Sequence, residues 1–317
     1  MHLTSFALRP MGQRAHRIRG VTLIELVVVI TITGIIAAVL GSFIVRPIQG
    51  YQAQVRRAEL VDAAEMALRR TARDIRLALP NSVRVTTAGG QSMIEMLNTM
   101  DGARYREGPG DIGHNHAPTQ YRLRINATDS DGFNIVGFFR NITVPFPSTT
   151  RRLAIYNQGV TSADAYTDAG LDLSAGRVIT NPAYTTFTID NDDGAPADEH
   201  RVALNTGSFR FRWASPDQRV FIVDTPITYV CNPGSAGTIT RYWDYAISAT
   251  QPTDPAAAPL SGGNNALLTT PVTACTFSYS PGTNQRAGLV TLDVTVADTA
   301  SGEQVRLLHQ VHVDNSP

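Results

Sequence analysis

The sequence predicts an α+β protein: a long N-terminal helix, apolar first and amphipathic later, packed on a mainly antiparallel β domain. Three observations predict it. Residues 21–45 carry one charge, Glu25. Residues 51–79 repeat apolar side chains at helical spacing. Beyond Val85 the pattern turns to alternation without a βαβ rhythm, which points to antiparallel strands.

The first stretch opens R-G-V-T-L-I-E-L-V-V-V-I from Arg19. At about 1.5 Å per residue the 25 residues from Val21 to Val45, apolar but for Glu25 and a few small polar groups, make a helix able to cross a ~30 Å hydrocarbon layer. A charge at the centre of a bilayer costs on the order of 3 kcal/mol, so Glu25 demands a role. The leader holds Arg9, Arg14, Arg17 and Arg19 and no acid, which favours a cytoplasmic N-terminus. A secretory signal peptide fits poorly, because the run is long and no small-x-small site closes it.

Residues 46–50, R-P-I-Q-G, should interrupt the helix. Pro47 removes a backbone donor and Gly50 lowers helix propensity, so a kink or unwound segment is expected. The amphipathic helix resumes over 51–79. Leu60, Ala64, Leu68, Ile75 and Leu79 form one stripe, and Arg57, Asp62, Glu65, Arg69, Arg73 and Arg76 dress the other faces. Glu65 and Arg69 are a favourable i,i+4 pair, and Pro80 with Asn81 ends the helix.

Strands are expected at 121–125, 133–139, 153–157, 185–190, 209–213, 219–224, 227–231, 238–243, 290–296 and 305–313. Phe209, Phe211 and Trp213 should share one strand face, opposite Arg210 and Arg212. Residues 89–118 and 250–271 read as loops; if the β region has two lobes, their boundary falls within 145–200.

Formal net charge is zero, but the leader skews it. Without the first twenty residues, 23 arginines face 27 acids, and no clustered basic surface points to nucleic acid. Lysine is absent, which removes Schiff-base, Ser-Lys and P-loop chemistry. No G-x-S-x-G appears. The expectation is a protein that is not an enzyme and takes no cofactor or metal. His114 and His116, in G-H-N-H-A-P, read as solvated loop polarity. His309 and His312 should lie on opposite faces of the last strand. D-N-D-D-G at 190–194 misses calcium-loop register, because Ile189 takes the first ligand position. Asp129 and Asp131 before Gly132 share that defect, with Ala127 in first place.

The opening pattern resembles the type IV prepilin signal. The resemblance implies cleavage between Gly20 and Val21 by prepilin peptidase and methylation of the new amine on Val21. The family carries Phe there, and this chain has Val21. Its fifth mature residue is Glu25, whose implied role is neutralisation by the α-amine of a neighbouring subunit, setting assembly register. P-I-Q-G-Y at 47–51, R-R-A-E-L-V-D-A-A-E-M-A-L-R-R-T-A-R-D-I-R-L-A-L-P-N-S-V-R-V at 56–85, and L-L-H-Q-V-H-V-D-N-S-P at the end are similar to MSHA biogenesis minor pilins of the MshO type. That implies a leader (1–20), a single-pass inner-membrane helix (21–45), an amphipathic continuation (46–80) and a periplasmic β-rich domain (81–317). Partners would be other minor and major pilins, in initiation or at the tip of a pilus. The alternative is a minor pseudopilin of the J type in type II secretion. A tip adhesin would need exposed aromatics, with Tyr156, Tyr166, Tyr184, Tyr242 and Trp243 as candidates.

Two cysteines remain, Cys231 and Cys275. A periplasmic location favours a disulfide between them over separate buried thiols. A metal pair lacks the spacing and a neighbouring histidine.

Overall fold

A computed structural model describes residues 20–107, 122–127, 132–171, 176–192, 199–205, 209–282 and 286–316. They divide into two compact units at the Val55–Arg56 junction. One long helix, α1 (Leu23–Arg76), opens the chain. There follow β1 (Arg84–Ala88), β2 (Gln91–Arg104), β3 (Phe133–Asn134), β4 (Phe146–Ser148), β5 (Arg152–Ala154), a single turn α2 (Ala165–Asp168), β6 (Thr186–Asn191) and β7 (His200–Asn205). The remainder is β8 (Arg219–Asn232), β9 (Thr238–Trp243), β10 (Asn264–Thr269), β11 (Val272–Ser280), β12 (Gly288–Ala297) and β13 (Gln304–Val313). The architecture is the expected α+β, and every paired strand runs antiparallel.

No unwound segment interrupts the helix at Pro47 and Gly50, and α1 is helical through both. A proline forfeits its own i→i−4 bond and costs about 3 kcal/mol. The turns on either side keep their bonds, so the helix absorbs that loss. At the other end α1 stops at Arg76, short of Leu79. The next residues are taken by β2: Leu79 N–H donates to Leu97 O (2.8 Å) and Thr99 N–H to Leu77 O (2.9 Å).

The apolar stripe of the second unit is the one the spacing predicts. Ala64, Leu68, Ala72 and Ile75 are buried in one core with Ile94 and Met96 of β2, Tyr229 of β8, alternate residues Val290 to Val296 of β12, and Val311 and Val313 of β13. The period of the helix and the period of the strands thus meet in a single cluster.

Three sheets carry this core and its surroundings. The largest has the order β1-β2-β8-β9-β10, with β5 also pairing β8. A second, β11-β12-β13, shares the helix core. The third, β3-β7-β6-β4, encloses another cluster with Tyr105, Phe133, Phe187, Phe209, Phe211 and Ile222. The chain leaves the main sheet at the end of β2, touches it again at β5 and re-enters it for good at β8, just before which Gln218 O accepts from Tyr105 N–H (2.7 Å). Within the 145–200 region β5 pairs back onto β8, and the described residues from Arg56 onward form one unit.

Several strands differ from expectation. Residues 219–224 and 227–231 are one strand, β8, which carries Pro226 opposite Leu97 beside a register shift. β2 lies in the 89–118 stretch read as a loop, and β10 in the 250–271 stretch. Residues 122–125 form no strand, and Tyr121 is outside the described residues. Over 209–213 there is a single bridge, Phe211 to Arg177. Phe209 and Phe211 are buried edge to face at 4.9 Å, but Trp213 is 42% exposed, so two of the three aromatics share the core.

Candidate functional site

The N-terminal site is built by the start of α1. Gly20, Val21 and Thr22 precede the helix, and Thr22 caps it: Glu25 N–H donates to Thr22 Oγ1 (3.3 Å). The run Thr-Leu-Ile-Glu is a capping-box sequence. Only half the box closes here, because the Glu25 carboxylate makes no return bond to the Thr22 N–H. Glu25 sits in the first turn, where the positive end of the helix dipole favours an anion.

Around it, apolar side chains are exposed on every face, including Val21, Leu23, Ile24, Val28, Ile32, Ile35 and Leu40. A helix apolar all round needs a non-aqueous surrounding, and this one is long and apolar enough to cross a membrane. Thr31 hides its hydroxyl on the carbonyls of Val27 (3.0 Å) and Val28 (2.9 Å), as a polar group in such a surrounding must. Among the described residues of this unit the one base is Arg46, 21 residues on and about 30 Å away along the helix. The Glu25 carboxylate therefore has no cationic partner within reach in the described part of its own unit. Chemically the arrangement is a carboxylate acceptor positioned at a helix start.

Among the described residues, the second unit holds buried polar clusters that the sequence does not announce, around Asp74, Glu95 and Glu199. Asp74, 4% exposed, accepts from Tyr229 OH (2.7 Å) and Arg241 Nε (2.7 Å), with Arg70 Nε at 3.5 Å. Glu95, fully buried, accepts from Arg84 Nε (2.6 Å) and Tyr245 OH (3.0 Å). Burial pushes the Glu95 carboxyl above its usual range, against the pull of Arg84. Arg84 in turn lies 3.6 Å over the Tyr166 ring. In the third cluster, Arg106 pairs with Glu199, and Asn134 Nδ2 donates to Asp192 Oδ2 (2.7 Å) and Glu199 Oε2 (3.1 Å). The only sequence signal for Asp74 and Glu95 is an acid at an otherwise apolar position, which one sequence leaves ambiguous.

The remaining expected positions fall as follows. Cys231 and Cys275 form the disulfide, with Cα atoms 6.5 Å apart, and join β8 to β11 at the helix core. His309 and His312 do lie on opposite faces of β13, His309 half-buried and His312 exposed. His114, His116, Asp129, Asp131, Asp193 and Gly194 lie outside the described residues. Among the described residues no three His, Cys, Asp or Glu side chains gather as a metal site. Tyr166 is buried under Arg84 and Trp243 packs against the helix core, while Tyr184 is half exposed.

Residues 15–41 match the family model described as the prokaryotic N-terminal methylation motif. The chain matches no curated protein and no solved structure. The matched segment spans the Gly20–Val21 junction, the Thr22 cap, Glu25 and most of the apolar run. Such a motif implies processing by a prepilin peptidase and assembly with other pilins. The N-terminus of this chain carries the prokaryotic N-terminal methylation motif on an apolar helix that fits a membrane-anchored pilin or pseudopilin.

Proposed function

We propose that the chain is a minor pilin of the MSHA type, cut after Gly20, methylated on Val21, and held in the inner membrane by α1 until it joins an assembling pilus. The observation that carries this reading is Glu25: an acceptor in the first turn of an all-apolar helix, with no cation within reach among the described residues of its unit, inside a methylation motif. A neighbouring subunit's Val21 amine supplies the missing charge. Pairing inside lipid then selects one axial register over its neighbours, because every other register leaves the carboxylate alone. The β-rich domain is the periplasmic part in this reading, and its disulfide suits an oxidising compartment. The pilus is favoured over secretion by the runs at 47–51 and 307–317 that resemble MSHA minor pilins. Two of the resembling runs also meet in space, through Asn81 and Asn315.

A clean deletion of the gene tests the proposal, scored in parallel for surface pili and for exoprotein in the medium. The expected result is loss of pili with normal secretion, reproduced by Glu25→Gln. Normal pili with exoprotein trapped in the periplasm would move the chain to the J-type pseudopilins. Intact pili and secretion with lost adhesion would favour a tip adhesin.

A further inference from the structure

β13 is an edge strand: among the described residues it pairs β12 on one side and no strand on the other. Its ten residues leave a row of backbone donors and acceptors unused, at about 3.3 Å per residue an open edge near 33 Å long. Protected edges carry inward charges, proline or a cover. Here a groove of about 370 Å³ lies between the strand and the last turns of α1, lined by Arg69, Ala72, Arg73, Arg76, Leu77 and His309.

The charge of this groove is one-sided. Arg69, Arg73 and Arg76 are spaced i, i+4, i+7 on one helix face. Arg69 is held by Glu65 at 2.6 Å, whereas Arg73 and Arg76 have no ion-pair partner among the described residues. β13 has no acid of its own, and its single arginine, Arg306, is already held by Asp293. On the outward face of the same strand Leu308 is 59% exposed.

We infer that the open edge of β13 and the Arg69-Arg73-Arg76 ladder together receive an extended, acidic segment of another polypeptide, added as a fourth strand to the β11-β12-β13 sheet. The edge requires an extended backbone, since only that pairs a strand. The ladder requires carboxylates on the side facing α1. Leu308 favours an apolar residue on the opposite side, as a cross-strand neighbour. The occupant is thus an amphipathic strand with acids on one face and apolar residues on the other. This docking surface is separate from the Glu25 site and stands whichever machine the subunit joins.

A ten-residue peptide of alternating Val and Glu tests the inference, titrated by fluorescence anisotropy against the full chain in detergent. Saturable binding is expected, weakened at least tenfold by the double change Arg73→Glu with Arg76→Glu. Both arginines are at the surface, and circular dichroism checks that the variant folds. Arg140→Glu, at an exposed site elsewhere, should bind as the unaltered chain does. Two further peptides separate the components: alternating Val and Lys should fail on charge, and Val–Glu N-methylated at alternate residues should fail on edge pairing. Equal binding of the N-methylated peptide overturns strand addition, and undiminished binding by the double variant overturns the ladder. No saturable binding of the Val–Glu peptide overturns the inference as a whole. Self-association of the chain that the double variant abolishes would make the occupant a second copy and overturn the acidic partner.

Discussion

Asn81 and Asn315, 234 residues apart in sequence, hold each other by backbone and side chain. Asn81 N–H donates to Asn315 Oδ1 (3.3 Å), and Asn81 Nδ2 donates to Asn315 O (3.1 Å) and to Asn157 O (2.9 Å). Asn81 has φ +58°, a left-handed conformation that asparagine tolerates better than most side chains. It ties the residues after α1 to those after β13. Asn315→Ala removes its side-chain bonds to Asn81 and to Tyr279 OH and should lower stability by about 1–2 kcal/mol. Urea unfolding of the variant reads this directly.

Asp74 is where α1 is bolted to the main sheet. Asp74→Asn leaves the Arg241 guanidinium, 12% exposed, without its carboxylate. The expected cost is about 3 kcal/mol, the consequence of an uncompensated buried charge. Tyr229→Phe removes one hydrogen bond to the same carboxylate and should cost about 1 kcal/mol. Equal losses in the two variants would contradict the assignment of the larger part to charge.

Glu95 gives the stability a pH dependence of defined sign. Burial raises its carboxyl above the ordinary 4.5, so between that value and the raised one the folded state binds more protons than the unfolded state. Stability contributed by this group is therefore present at lower pH and lost as pH rises through the raised value. Glu95→Gln should flatten that part of the stability curve, measured by chemical denaturation at a series of pH values above 4.5. A curve of unchanged slope would show that Glu95 does not set it.

The Cys231–Cys275 bond spans a sequence separation of 44. Closing a loop of that length restricts the unfolded chain by about 4 kcal/mol on the entropy model. Cys231→Ser with Cys275→Ser should lower the unfolding free energy by an amount of that order. The same loss should follow reduction of the unaltered chain.

The sequence made the helix stripe legible because Leu60, Ala64, Leu68 and Ile75 keep helical spacing; one core buries the last three, and Leu60 packs against it. It made β12 and β13 legible because each alternates cleanly. β2 was missed for a physical reason: residues 92–97 are buried on both faces, so alternation vanishes and Met-Ile-Glu-Met-Leu reads as no simple period. Glu95 inside that run looks like a solvent marker and is fully buried. At 209–213 the alternation was real for burial of Phe209 and Phe211, yet the backbone makes one bridge and no ladder. Of the N-terminal site, Glu25 was readable from its chemistry alone. The Thr22 cap went unread although Thr-Leu-Ile-Glu spelled it. A cation for Glu25 is not legible nearby, because the described part of its unit offers none within reach.

Leu68 of α1 and Val311 of β13 belong to one core, so its halves are made far apart in time. At ~5–20 residues per second, synthesis places on the order of ten to fifty seconds between them. Through that interval the stripe of α1 has none of its β12 and β13 partners, and its apolar side chains are open to any surface that will take them. Whatever shelters the stripe meanwhile, a chaperone or the membrane beside which it emerges, must bind weakly enough to yield when β12 and β13 arrive. The timing of this fold is thus written into which strands its first helix waits for.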